Sequence, residues 1–135
     1  MKRILFVDNT AHHLYGQMHL MSAFKNLGYI VIALTPDDNN YFQKIQTSGV
    51  KCYSISIAGK SLNPFRDLML ISGLRKILKQ IKPNLICSFT IKPNLYATVV
   101  ARKLKIPIIT NITGLGYAFM HKGILSSIVI TLYKY

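Results

Sequence analysis

The sequence predicts an α/β fold, a doubly wound parallel sheet of Rossmann-like type, and three observations point to it. Short runs of apolar and β-branched residues alternate with longer stretches whose apolar positions recur every three or four residues. The alternation repeats five times, which is the pattern of a parallel sheet covered by helices on both faces. Half of the 135 residues are apolar, enough for one core that needs neither disulfide nor metal. Right-handed crossovers then favour the strand order 3-2-1-4-5.

The elements follow in order. Arg3 to Val7 reads as a buried strand that gives way to a loop at Asp8-Asn9. Gln17 to Leu27 has helical spacing and stops at Gly28, a glycine suited to the position just past a helix end. Tyr29 to Leu34 is a second strand, ended by Thr35-Pro36-Asp37-Asp38. Asp38 or Asn39 caps the next helix, which runs to about Thr47 and stops before Gly49. Lys51 to Ile57 is a third strand, followed by a polar loop from Ala58 to Asn63. Pro64 opens a helix in which Phe65, Leu68, Met69, Ile71, Leu74, Ile77, Leu78 and Ile81 form one core-facing stripe. Leu85 to Phe89 is strand four, Pro93 suits the first turn of the next helix, and Ile106 to Ile112 is strand five. A last helical stretch runs from Ile124 to Tyr135.

Charge is the unusual property. Seventeen Lys and Arg face four acids, all Asp, and no carboxylate follows Asp67. Such a field attracts polyanions: nucleic acid, anionic lipid headgroups or pyrophosphate-bearing substrates. Solvated helix faces in a Lys-rich coding background are the bland alternative. No signal peptide is read at the start, because only four apolar residues separate Arg3 from Asp8. The apolar stretch Gly123 to Tyr133 is shorter than the roughly 20 residues a bilayer span needs, so no integral membrane segment is expected. Cys52 and Cys87 lie far apart and read as two buried thiols.

In a doubly wound sheet, ligands bind beyond the carboxyl ends of the strands. The loops that meet there are Asp8 to Gly16, Thr35 to Asn40, Ala58 to Asn63, Thr90 to Lys92 and Thr113 to Phe119. They are rich in hydrogen-bonding side chains and poor in acids, which excludes the Mg²⁺ pocket of a response-regulator receiver. Thr113-Gly114-Leu115-Gly116 can present backbone N–H groups to an anion or form a plain turn. Lys92 sits where a cation could meet a phosphate, or it is simply solvated. His12, His13, His19 and His121 lack a companion carboxylate in the sequence pattern, so no metal site is expected. There is no Ser-His-Asp order, P-loop or acid pair.

Two longer stretches carry more. Ser88-Phe-Thr-Ile-Lys-Pro-Asn-Leu-Tyr96 and Asn111-Ile-Thr-Gly-Leu-Gly-Tyr-Ala-Phe119 resemble signature segments of the acceptor-side domain of glycosyltransferase family 4. Gly59 to Asp67 and Lys82 to Ile86 fit the same pattern, and the resemblance covers the chain in register. It points to enzymes that extend undecaprenyl-diphosphate-linked sugars in capsule, O-antigen and protein-glycan assembly. The resemblance implies a GT-B architecture, whose first Rossmann-like domain binds the acceptor and whose second binds the nucleotide sugar. It also implies a retaining, metal-independent reaction with no cofactor beyond the nucleotide-sugar donor.

Carried over by position, Thr90, Lys92, Asn94, Thr113, Gly114 and Gly116 should face the cleft, with Asn9 and Thr10 beside the donor phosphates or acceptor. Relatives continue the first loop with an Asn-Phe-Arg-like segment, whereas Gly16-Gln17-Met18 stands here, without the arginine. The expectation is one incomplete acceptor-binding domain over residues 1–135, with the catalytic residues in a donor domain outside it and no transfer by this chain unaided. A separately encoded donor domain is the alternative arrangement, and a basic nucleic-acid-binding domain the alternative class. The loops lack the interleaved aromatics that the latter uses, so no specific nucleic acid is expected. The implied place is the cytoplasm, in peripheral contact with the anionic inner face of the bacterial cytoplasmic membrane.

Overall fold

The computed structural model describes residues 2–55 and 64–112. Five parallel strands form one sheet in the order β3-β2-β1-β4-β5: β1 Arg3–Val7, β2 Ile30–Thr35, β3 Lys51–Ser54, β4 Leu85–Phe89 and β5 Ile108–Asn111. This is the predicted doubly wound order. The register aligns Val7 with Leu34 on one side and with Ser88 on the other, so the central strands end level.

Strand alternation sends Leu5 and Val7 to one face and Ile4 and Phe6 to the other. The Leu5 face packs under α4 (Pro64–Ile81) and α5 (Ile91–Leu104), through Leu74, Leu78, Ile81, Ala97 and Val100. The Ile4 face packs under α1 (Ala11–Tyr15), α2 (Met18–Asn26) and α3 (Tyr41–Thr47), through Leu14, Met21 and Ile45. Phe6 sits fully buried between Phe24 and Phe89, its ring stacked on Phe89 at 6.1 Å. Each such buried side chain contributes roughly 1.5–3 kcal/mol of transfer free energy.

The helix ends follow local chemistry. Gly28 and Gly49 both take φ of 92°, the left-handed conformation that ends α2 and α3 at little steric penalty. The N-cap position of α3 is Asn40 rather than Asp38 or Asn39, and the Asp38 carboxylate two residues before it accepts from the N–H groups of Asn40 and Phe42. Pro93 falls at the third position of α5, in the first turn, where a missing N–H leaves no partner wanting.

Four expectations are corrected. The first loop contains the short helix α1, capped by Thr10, whose side chain accepts from the His13 N–H. β2 runs one residue further, to Thr35. β5 is shorter than predicted at both ends, and Lys105 and Ile106 instead bond back to the end of α5. Finally, Phe65, Leu68 and Met69 do not join the core-facing stripe of α4 and stand 79%, 65% and 74% exposed. The predicted end of strand three, the loop 58–63 and the final helix 124–135 lie outside the described residues.

Candidate functional site

The order 3-2-1-4-5 reverses direction between β1 and β4, and the crevice of such a sheet opens at that switch point. Asp8 follows β1 directly and is fully buried. Its backbone N–H continues the ladder to the Leu34 carbonyl at 3.2 Å, which fixes the carboxylate at the mouth of the crevice. One carboxylate oxygen accepts from the Asn9 N–H at 2.7 Å, and the other meets Nδ1 of His13. The sequence pattern did not reveal this companion acid for His13, because the pairing exists only once α1 turns the imidazole back over the strand end.

An ionised carboxylate can only accept, so in that state Nδ1 carries the proton and Nε2 is left as the acceptor of the ring. Phe89 meets the same imidazole edge-on at 6.3 Å, so the ring is held from two sides. Burial strips water from Asp8 and pushes its carboxyl above the ordinary aspartate range. The contact with His13 and the N–H groups of Asn9 and Thr10 pull the other way without reversing the direction.

Thr90 closes the site from β4. Its φ of 69° and ψ of 165° lie in a region that is essentially glycine's own, and a β-branched residue held there stores roughly 1–3 kcal/mol. Its Oγ1 donates to the Phe89 carbonyl at 2.5 Å and stands 3.5 Å from an Asp8 carboxylate oxygen across the switch point. At the end of β2, Thr35 is fully buried and its Oγ1 has no hydrogen-bond partner among the described residues.

The predicted site residues separate into groups. Asn9, Thr10 and Thr90 come together around Asp8 and His13. Asn94 lies beneath them, 1% exposed: its Oδ1 accepts from Ser88 Oγ at 2.6 Å and its Nδ2 donates to the Asn111 carbonyl at 3.0 Å. Asn111 Nδ2 in turn donates to the Ser88 carbonyl, so this network welds β4, β5 and α5 below the crevice. Lys92 is directed to Asp67 of α4, 4.0 Å away. The same carboxylate hydrogen-bonds Tyr96; burial and then that bond push the Tyr96 phenol up to about 12. Thr113, Gly114 and Gly116 lie outside the described residues. Sequence reasoning put the loop Asp8 to Gly16 at the crevice but missed the pairing of Asp8 with His13, and the one signal available was Thr10 three residues ahead of His13, a capping spacing.

Among the described residues no group of three or more His, Cys or acids is placed to hold a metal ion. Burial raises both thiols, Cys52 to about 11, which keeps them protonated and unreactive. No helix among the described residues is long and apolar enough to cross a membrane.

Comparison with known proteins agrees with this fold. A family model described as glycosyl transferase 4-like matches residues 3–135. The N,N'-diacetylbacillosaminyl-diphospho-undecaprenol alpha-1,3-N-acetylgalactosaminyltransferase of Campylobacter jejuni is 30% identical over 129 residues, 94% of this chain. The chain spans about a third of that relative's length, 34%. Among solved structures, MurG of Acinetobacter baumannii superposes with a TM-score of 0.69 at 16% identity, over 98% of this chain and 39% of that one. The UDP-GlcNAc 2-epimerase of Neisseria meningitidis bound to UDP-GlcNAc gives 0.66 at 17%, over 94% and 38%. At those identities the likeness is one of fold, the Rossmann-like half of the GT-B architecture.

Proposed function

The chain belongs to the glycosyl transferase 4-like family, and from that premise we propose that it forms the acceptor-binding wall of a retaining sugar transferase. Its acceptor is a glycan carried on a polyprenyl diphosphate, as the name of the Campylobacter relative indicates for that enzyme. Its donor is a nucleotide sugar, bound by a further domain, in the same polypeptide or separately encoded, that supplies the opposite wall. The product belongs to bacterial surface polysaccharide or protein-glycan assembly at the inner face of the cytoplasmic membrane. Stabilising a transition state in a cleft requires both walls, so residues 1–135 alone bind without transferring.

The observation that carries this reading is the buried Asp8 holding His13 at the switch point. A sugar hydroxyl placed against Nε2 donates to it, while Asn9 and Thr90 flank the same Asp8–His13 pair. By the family resemblance, Thr113, Gly114 and Gly116 enter this proposal as further contacts to the diphosphate of the acceptor. The seventeen cations against four acids suit work at an anionic surface.

The test is titration of the chain with a short-chain prenyl-diphosphate N-acetylhexosamine, followed by amide NMR. Shifts confined to Asp8–Gly16, to the residues around Thr90 and to residues 113–116 support the proposal. Shifts elsewhere, or none at millimolar ligand, overturn it.

A further inference from the structure

We propose that α1 and α3 together present a sugar-stacking platform outside the crevice, formed by Tyr15 and Tyr41 with His12 and Lys44 at its rim. The two helices are built alike. In α1 the pair Ala11 and Leu14 is buried, while His12 and Tyr15, also three apart, stand exposed. In α3 Phe42 and Ile45 are buried, while Tyr41 is half-buried and Lys44 exposed. The outer pairs meet. The ring centroids of His12 and Tyr15 lie 4.7 Å and 5.4 Å from that of Tyr41. Lys44 Nζ stands over Tyr41 at 4.6 Å and over Tyr15 at 5.8 Å. Leu14 and Ile45 carry the packing onto the sheet, so the four outer side chains are not needed for it.

Chemistry selects the occupant. Two aromatic rings fixed by a cation form a preorganised apolar step with a polar rim, which matches the C–H face and hydroxyl edge of a pyranose. An acyl chain would need exposed aliphatic side chains, and this cluster has none. A nucleotide could stack on the same rings, but its phosphates would be repelled by Asp37 and Asp38, both exposed in the loop that leads into α3. Asp38 Oδ1 accepts from the N–H of Phe42, next to Tyr41, so that carboxylate lies at the foot of the platform. In a chain of seventeen cations and four acids, two adjacent carboxylates here favour hydroxyl donors over anions. The occupant is therefore a neutral sugar. The platform also adjoins the crevice: His12 touches Tyr41, and the next residue, His13, reaches Asp8. Resting on the transferase reading above, one glycan lays its reacting sugar against His13 and the sugar behind it on Tyr15. The platform then selects which glycan enters.

The probe is N,N'-diacetylchitobiose, which carries neither diphosphate nor lipid, titrated into the full chain and followed by NMR. Saturable binding at millimolar sugar is expected, with sugar ring protons moved upfield by the aromatic faces and amide changes at Tyr15, Tyr41 and Lys44. Tyr15→Phe keeps the ring and should bind as the unsubstituted chain does. Tyr15→Leu keeps an apolar contact with Tyr41 but removes the ring, and should weaken binding roughly three- to tenfold. Circular dichroism establishes that both variants are folded. The upfield shift and the amide changes are read on the unsubstituted chain, so they decide the matter even if Tyr15→Leu fails to fold.

Three results overturn the proposal: equal affinity in folded Tyr15→Leu, sugar-induced changes that spare both tyrosines, or uridine monophosphate binding the same residues more tightly than the disaccharide. The last would assign the platform to a nucleotide. A crevice that answers the prenyl-diphosphate sugar while neither tyrosine answers the disaccharide would sink the platform and leave the transferase reading standing. Disaccharide binding at the tyrosines with no response to the prenyl-diphosphate sugar would sink that reading and leave the sugar platform.

Discussion

His13 turns Nδ1 of its ring onto the carboxylate of Asp8, which is fully buried at the end of β1. A charge-bearing pair occupies the point where the sheet changes direction, and the two residues divide the work. Asp8 loses its hydration to hold the ring, and His13, 36% exposed, presents what remains of the ring to the crevice.

Replacing that acid should reverse the ring. In Asp8→Asn the amide donates to Nδ1, which becomes the acceptor and leaves the proton on Nε2. Nitrogen-15 shifts of the imidazole should report the exchanged tautomer, and affinity for a hydroxyl-donating acceptor should fall roughly three- to tenfold, about one hydrogen bond. An unchanged tautomer would mean that Asp8 does not set it.

The same residue gives stability a pH dependence with a definite sign. The folded state raises the Asp8 carboxyl above its unfolded value, so the folded chain binds more protons between the two. This contribution to stability is greatest below the unfolded pKa near 3.8 and is lost as pH rises through the raised folded value. Denaturant midpoints across that window should decline less with pH in Asp8→Asn than in the unsubstituted chain. Equal slopes would show that burial of Asp8 carries no penalty.

Thr90 invites the complementary test. Glycine adopts its backbone conformation freely, so Thr90→Gly releases roughly 1–3 kcal/mol of strain and gives back roughly 0.5–1 kcal/mol in unfolded-chain entropy. Urea unfolding should show a net gain of about 1 kcal/mol, while acceptor affinity falls with the loss of Oγ1. A destabilised Thr90→Gly would show that the threonine bonds outweigh the strain.

Asn94→Ala should be the most damaging of these changes. It strands Ser88 Oγ and the Asn111 carbonyl in a buried site, at a penalty of roughly 2–4 kcal/mol that thermal melting would reveal. Ligand binding by the surviving folded fraction should change much less. A melt unaltered by the substitution would mean the network is replaceable.

Asp67→Asn should lower the Tyr96 phenol from about 12, since the carboxylate contributes two of its three causes. Difference absorbance titration against the unsubstituted chain measures this directly. A superimposable titration would place the whole effect in burial.

The strand order and four of the five helices were legible because they rest on local periodicity and on Gly28, Gly49 and Pro64, whose backbone preferences act within one turn. The site was legible only in part. Asn9, Thr10 and Thr90 could be placed at strand ends by position alone, whereas the Asp8–His13 pairing depends on α1, five residues with no repeating apolar pattern. The outer face of α4 was misread for another reason. Phe65, Leu68 and Met69 keep the three-or-four spacing of the buried stripe but differ from it in phase, and spacing alone does not report phase.

The pairing of β1 with β4 has a consequence in time. A chain leaving the ribosome can align β1, β2 and β3 early, because each partner follows its neighbour closely. β1 must wait for β4, and Asp8 for Thr90, 82 residues later. During synthesis one edge of β1 is consequently bare, with Leu5 and Val7 lacking the cover of α4 and α5. The crevice comes into being only once β4 and Thr90 have emerged, and the nascent chain is at its most adhesive until α4 and α5 cover Leu5 and Val7.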